Sequence, residues 1–198
     1  MFPVGGALLP GEPHTLYLFE PRYLAMAADI GDTGSFGVVL IERGSEVGGG
    51  DTRFDVGTVA TIVEMERLDH GELGILARGG ERIAVDRWLP DDPYPMALVR
   101  GLPEHQPPGP ERVVRLVGRL RRLYALASEL GMDGGDIDLT LPDDPPSRLW
   151  RVASLTPAGQ LDRQRMLEAA DAEDLLALLD ALVDDVEEEI RWRLAGSA

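Results

Sequence analysis

Through residue 104 the apolar residues come in short runs rather than helical stripes. Residues 36–41, 56–63, 73–76, 82–88 and 96–99 are rich in Val, Ile, Leu and other strand formers. Their boundaries carry turn chemistry, as at Asp69-His70-Gly71-Glu72 and Pro90-Asp91-Asp92-Pro93. One helix fits between them, at 21–29, with Pro21 at an opening position where a missing N–H costs nothing. Short strands at close spacing predict a small barrel or a strongly curled sheet, and closing the barrel would remove its exposed edges.

The period changes near residue 105. The stretch Glu104-His105-Gln106-Pro107-Pro108-Gly109-Pro110 can extend neither strand nor helix, because proline lacks the donor and fixes φ; residues 105–110 read as a stiff linker. Beyond it Val113, Leu116, Val117, Leu120, Leu123, Tyr124, Ala127 and Leu130 recur at helical steps and stop at Gly131. A short helix fits 147–155. Thr156-Pro157 reads as a cap and first-turn proline leading into a helix over 161–170. Asp171 caps a last helix whose apolar stripe is Leu175, Leu178, Leu179, Leu182, Val186 and Ile190. The chain therefore divides into a β unit over 1–104, the linker, and a helical bundle over 111–198.

Composition narrows the chemistry. All 19 basic residues are Arg, and the sequence contains no Lys, Cys or Asn. A Schiff base, a Ser-Lys dyad and a P-loop lysine are excluded, as are disulfides, thiol nucleophiles and Cys-ligated metals. The formal charge of −16 is spread over both halves and repels phosphate backbones and anionic lipid. No apolar run reaches the roughly 20 residues that span a bilayer, and Arg22 is the first positive residue. The cytoplasm is the expected compartment.

The amino-terminal segment Phe2-Pro3-Val4-Gly5-Gly6-Ala7-Leu8-Leu9-Pro10-Gly11, followed by Leu16-Tyr17-Leu18-Phe19-Glu20-Pro21-Arg22-Tyr23, resembles the amino-terminal domain of the ATP-dependent Lon proteases. Phe36-Gly37-Val38-Val39, Val56-Gly57-Thr58, Gly79-Gly80-Glu81-Arg82-Ile83, Arg163-Gln164 and Leu167-Glu168 extend the resemblance nearly end to end. It implies an α+β fold, a PUA-like small β-barrel followed by an α-helical bundle. It also implies a non-enzymatic role in binding substrate or partner: unfolded or apolar polypeptide, or a protein such as a protease or chaperone. Family members carry a few apolar residues before the Phe-Pro pair, so the first strand is expected to be short or the true start to lie upstream of Met1. The sequence has no counterpart of the family's ATPase and peptidase domains, and proteolysis is not carried over.

The remaining candidates divide into fold and function. In Phe19, Glu20, Pro21, Arg22 and Tyr23 the reading is structural: Pro21 opens a helix, Phe19 and Tyr23 bury their rings, and Glu20 and Arg22 satisfy each other or the backbone. Trp88, Tyr94 and Met96 flank the Pro90–Pro93 loop and are the candidate peptide-binding residues, two aromatics and an adaptable thioether. No catalytic, cofactor or metal residues are assigned. His14, His70 and His105 lie far apart and read as solvated loop histidines, and the Asp133–Asp138 carboxylates read as an acidic connector. The six serines include no Gly-x-Ser-x-Gly elbow, leaving an uncharacterised hydrolase as the weaker alternative. The other alternative is an RNA-binding module through the PUA-like barrel, to which the basic stripe of Arg112, Arg115, Arg119 and Arg122 would contribute. Glu187, Glu188 and Glu189 offer it countercharge, and Glu187–Arg191 and Glu189–Arg193 have intrahelical spacing. Nucleic acid and membrane are not expected partners.

Overall fold

The computed structural model describes residues 1–45, 50–106, 108–129 and 140–196. Leu130, Gly131 and the Asp133–Asp138 loop lie outside them. The described residues form an α+β fold, a mixed six-stranded sheet and five α-helices, and the chain divides into two compact units. The first comprises residues 1–104 and 160–168; the second comprises 105–159 and 169–198.

In the first unit the strands are β1 (Phe2–Val4), β2 (Pro13–Leu18), β3 (Ser35–Arg43), β4 (Thr52–Arg67), β5 (Leu73–Leu89) and β6 (Met96–Gly101), with helix α1 (Pro21–Ile30) after β2. The order is β1-β3-β4-β5-β2, and β6 also pairs with β5. Every pairing is antiparallel except β1 with β3. The sheet is open, which corrects the closed barrel expected from the spacing of the runs. Long strands bend through register shifts at Thr58/Ala60 and Ile62/Glu64, so β5 pairs with β2 in its first half and β6 in its second. The path then ends at β1 and β2 without joining them.

Residues 73–76 and 82–88, read as two strands, are one strand. Gly79-Gly80 is a crossing point rather than a turn: Gly11 N–H donates to the Gly79 carbonyl at 2.7 Å, and Gly79 N–H donates to the Glu12 carbonyl at 2.9 Å. A Cβ at Gly79 would sit 2.3 Å from the Leu9 carbonyl oxygen, so the close approach of that backbone requires glycine. Inside the curl Leu16, Leu18, Phe36, Val38, Ile62 and Ile75 pack with Tyr23 and Met26 of α1. Each fully buried aliphatic side chain there contributes about 1.5–3 kcal/mol of transfer free energy.

Helix α4 (Gln160–Glu168) belongs to this unit although it follows the helices of the second. Its side chains clamp it: Gln160 Oε1 accepts from Ala7 N–H at 2.9 Å, Arg163 donates to the Ala7 carbonyl and pairs with Glu12, and Gln164, 1% exposed, donates to the Val56 carbonyl at 3.1 Å. From the sheet side, Arg82 donates to the Leu167 carbonyl at 2.8 Å and to the Pro103 carbonyl at 2.9 Å.

The second unit contains α2 (Pro110–Glu129), α3 (Pro145–Leu155) and α5 (Ala172–Gly196). Asp144 caps α3 by accepting from Ser147 N–H at 3.0 Å, and Asp171 accepts from Glu173 and Asp174 N–H at 2.8 and 3.0 Å to start α5 as expected. Thr156 does not start α4; it ends α3, its hydroxyl donating to the Val152 carbonyl at 3.0 Å. The buried stripe of α5 is Leu175, Leu176, Leu179, Val183 and Ile190, while Leu178, Leu182 and Val186 are half-buried. A helix this rich in leucine offers two adjacent apolar phases, and packing selects one.

Candidate functional site

The loop residues proposed from sequence are brought to one end of the β5–β6 hairpin, but not onto one surface. Trp88 pairs with Ala97 and Leu89 with Met96 across the hairpin, so strand alternation assigns Trp88 and Met96 to opposite faces. Trp88 is also engaged. Its indole N–H donates to Asp55 at 3.1 Å, and the Arg53 guanidinium lies over the ring at 4.7 Å from its centroid. Arg53 in turn pairs with Asp51 and with Asp91 at 3.2 Å. Burial is the largest influence on the Asp51 carboxyl and pushes it up, but the Arg53 hydrogen bond, a backbone hydrogen bond and the charges of Arg53 and Arg22 together hold it below its ordinary value. Tyr94 packs against the core of the unit and donates its hydroxyl to Asp29 at 2.7 Å.

In the Phe19–Tyr23 corner Tyr23 is buried, its ring 4.3 Å from that of Phe2, and Arg22 pairs with Glu20 at 3.2 Å as expected. Phe19 is 52% exposed, which corrects the expectation that its ring is buried. The reason is the period of β2. Leu16 and Leu18 point into the core, so Thr15 and Tyr17 point out and Phe19 continues the outward row; Tyr17 is 67% exposed.

That row borders a hollow. On the outer face Tyr17 lies opposite Gly74 and Thr15 opposite Leu76, while on the far side of β5 Glu66 pairs with Gly74 and Glu64 with Leu76. Gly74 brings no side chain and Leu68 lies over it, and a space of about 250 Å³ is walled by Tyr17, Leu68 and Leu76 and bordered by Glu64 and Glu66. The floor is apolar, one wall is aromatic and one rim is anionic. Such a surface can hold an extended chain or an aliphatic stem carrying positive charge. Sequence reasoning missed it because the segment Thr15-Leu16-Tyr17-Leu18-Phe19 is apolar in both phases.

In the second unit a hollow of about 260 Å³ is lined by Arg122, Leu126 and Leu194 with Arg119 and Ile190. The basic stripe beside it is partly consumed. Arg112 pairs with Glu173, and Arg119 pairs with Asp180, Asp184 and Glu187. His105 is 4% exposed and stacks on Trp150 at 5.5 Å between ring centroids, which corrects its reading as a solvated loop residue; the aromatic face of Trp150 outweighs its proline-rich neighbours. Among the described residues no group of three or more His, Asp or Glu is placed to hold a metal ion, and no helix is long and apolar enough to cross a membrane.

Over residues 1–185 the sequence matches the model of the ATP-dependent protease La (LON) substrate-binding domain. The chain belongs to that family. Lon protease 2 of Herpetosiphon aurantiacus is 27% identical over 173 residues, and the Lon protease of Desulfosudis oleivorans is 26% identical over 179. Each match takes in 84% of this chain but 21% of the relative, so the chain spans about a fifth of their length. Among solved structures, the Lon N-terminal domain protein from Xanthomonas campestris superposes with a TM-score of 0.63 at 28% identity, covering 90% of this chain and 95% of that one. The N-terminal domain of the Mycobacterium avium complex Lon protease gives 0.60 at 18% identity over 92% and 96%, a likeness of fold.

Several residues that carry the Lon resemblance are the clamps already described. Arg82, Arg163 and Gln164 fasten α4 to the sheet, and Thr58 donates its hydroxyl to the Leu8 carbonyl at 2.6 Å. In this chain they act by holding backbone. The outward residues of β2 hold none and stay available.

Proposed function

We propose that this chain is a non-enzymatic polypeptide-binding protein that captures exposed apolar segments of unfolded or partner proteins on the outer face of β2, β5 and β4. The observation that carries this reading is the exposed pair Tyr17 and Phe19 beside the Gly74 hollow, in a member of a substrate-binding family. Large exposed aromatics in one row cost solvation free energy that an apolar ligand recovers. The absence of lysine supports binding without catalysis, because the Ser-Lys chemistry of a Lon peptidase has no amine here. The bent sheet is the PUA-like element in this reading, and the cytoplasm is its compartment. Trp88, Tyr94 and Met96 enter as scaffold for the hairpin rather than as the contact surface, since Trp88 and Tyr94 already spend their polar atoms on Asp55 and Asp29. The RNA reading is the weaker one because Arg112 and Arg119 are neutralised by carboxylates.

The test is association with a fluorescein-labelled unfolded polypeptide such as reduced, carboxymethylated lactalbumin, followed by anisotropy. The double substitution Tyr17→Glu and Phe19→Glu is expected to weaken association at least about tenfold, the loss of two partly buried aromatic contacts, and to leave the thermal midpoint within a few degrees. Association that survives this change undiminished places binding elsewhere and overturns the reading.

A further inference from the structure

The proposed surface has a feature that an apolar patch alone does not need. Strand β2 terminates the sheet path, and its backbone pairs only with β5, so along its outer side the backbone donors and acceptors of a six-residue strand stand without a strand partner among the described residues. Exposed edges are usually guarded by charge. Strand β2 carries no Asp, Glu, Lys or Arg, and its guard is Pro13 at its start: its residues are Pro13, His14, Thr15, Leu16, Tyr17 and Leu18. The opposite end of the path, β1, is only three residues long and buried, and the edge strand β6 carries Arg100 paired with Asp86. The second feature is the acid pair. Glu64 and Glu66, two apart on β4, share the face of the hollow, and among the described residues neither has an ion-pair partner. Like charges on one strand face repel, and the hollow between them and Tyr17 is uncharged.

Resting on the polypeptide-binding reading above, we propose that the ligand joins the sheet as an added strand along the outer side of β2, and that a lysine or arginine within it reaches over Tyr17 and Gly74 toward Glu64 and Glu66. The main chain supplies affinity through ladder hydrogen bonds, the row of Thr15, Tyr17 and Phe19 receives alternate side chains, and the two glutamates select charge. Strand spacing sets the geometry. An added strand lies three steps from β4, about 14 Å, a gap that an extended basic side chain and a glutamate can close from both sides. The Leu68 side chain lies over Gly74, within 4 Å of where a Cβ would stand, so the basic side chain crosses β5 beside it through the hollow. The substrate class is therefore extended apolar segments that contain a basic residue, and segments with an acidic residue at that point are rejected.

The test uses a short fluorescein-labelled peptide of alternating valine and threonine around one arginine, a version with glutamate in place of the arginine, and two versions N-methylated at alternate residues in opposite registers. The arginine peptide is expected to bind at least about fivefold more tightly than the glutamate peptide, a margin set by exposed charge pairs and reduced by salt. The double substitution Glu64→Gln and Glu66→Gln should erase that margin. N-methylation should weaken binding by about tenfold or more in one register, where it removes ladder hydrogen bonds, and leave the other nearly unchanged. Equal binding of both methylated registers and the parent removes the added strand, and an arginine preference that survives the glutamine variant removes the acidic selector. In either case the lactalbumin arm, still sensitive to Tyr17→Glu and Phe19→Glu, leaves the broader reading standing. If neither peptides nor lactalbumin bind, both readings fall.

Discussion

Arg82 is 5% exposed and donates its guanidinium to two backbone carbonyls, those of Leu167 and Pro103. Burial lowers its pKa from the ordinary value, yet a guanidinium stays charged. Hydrogen bonds from a charged donor contribute about 1.5–3 kcal/mol each, and removal leaves buried acceptors unmet. Arg82→Met is therefore expected to destabilise the protein by about 3 kcal/mol or more in urea unfolding, with Arg82→Lys between it and the parent because one ammonium cannot serve both carbonyls at the same geometry. Tyr23 offers a pH test. Burial, with Arg22 opposing it, pushes its phenol up to about 12 from an ordinary 10.0. Below pH 10 both folded and unfolded states hold the proton and the contribution is complete. Between pH 10 and 12 the unfolded state releases it first, so stability falls as pH rises. Tyr23→Phe should flatten that alkaline loss in denaturation midpoints measured across the window. At this scale the sequence spoke for Tyr23, whose place in a proline-opened helix fixes it inward. It placed Phe19 inward wrongly and was silent on Tyr17, because alternation settles which residues share a face and only tertiary packing settles which face is the core.

Strands and helices were legible where composition and period agreed, as in α2, where Val113, Leu116, Val117, Leu120, Leu123 and Ala127 of the sequence stripe are buried and Tyr124 is half-buried. They were misread where glycine has two meanings. The Gly79-Gly80 pair looks like the end of a strand, but in β5 it marks the place where the Leu9 backbone crosses the sheet. Gly79→Ala would set a methyl group 2.3 Å from the Leu9 oxygen, against 3.2 Å from the Val59 oxygen for Gly80→Ala. The first change is expected to cost about 2–3 kcal/mol and the second about 1 kcal/mol or less, by the usual penalty for overpacking; paired chemical denaturation curves decide it. Helix α4 was legible as a helix but not in its allegiance. Its apolar residues Met166 and Leu167 are buried, but so is Gln164, and the polar clamps made by Gln164 and Arg163 lead to Val56 and Ala7, far away in sequence. Nothing in local periodicity encodes such a long-range pairing.

For the whole molecule, the division of the chain has a direct consequence. The first unit needs residues 160–168 to complete it, so a fragment ending at residue 104 leaves Ala7, Val56 and Arg82 without the partners that α4 provides. Such a fragment is expected to lose the cooperative thermal transition of the entire chain, as followed by circular dichroism, and a fragment that melts as sharply would show α4 to be dispensable. The candidate surface on β2 lies within this unit, and its binding should be lost with it.

The two carbonyls held by Arg82 are those of Pro103, just after β6, and of Leu167, near the end of α4. Residues 105–159, which lie in sequence between the two stretches of the first unit, are topologically an insertion within it. A foreign domain whose own termini match the separation of residues 104 and 160 can be grafted in place of 105–159 with α4 and its clamps left intact. The recognition face could then be carried on scaffolds that this chain does not itself contain.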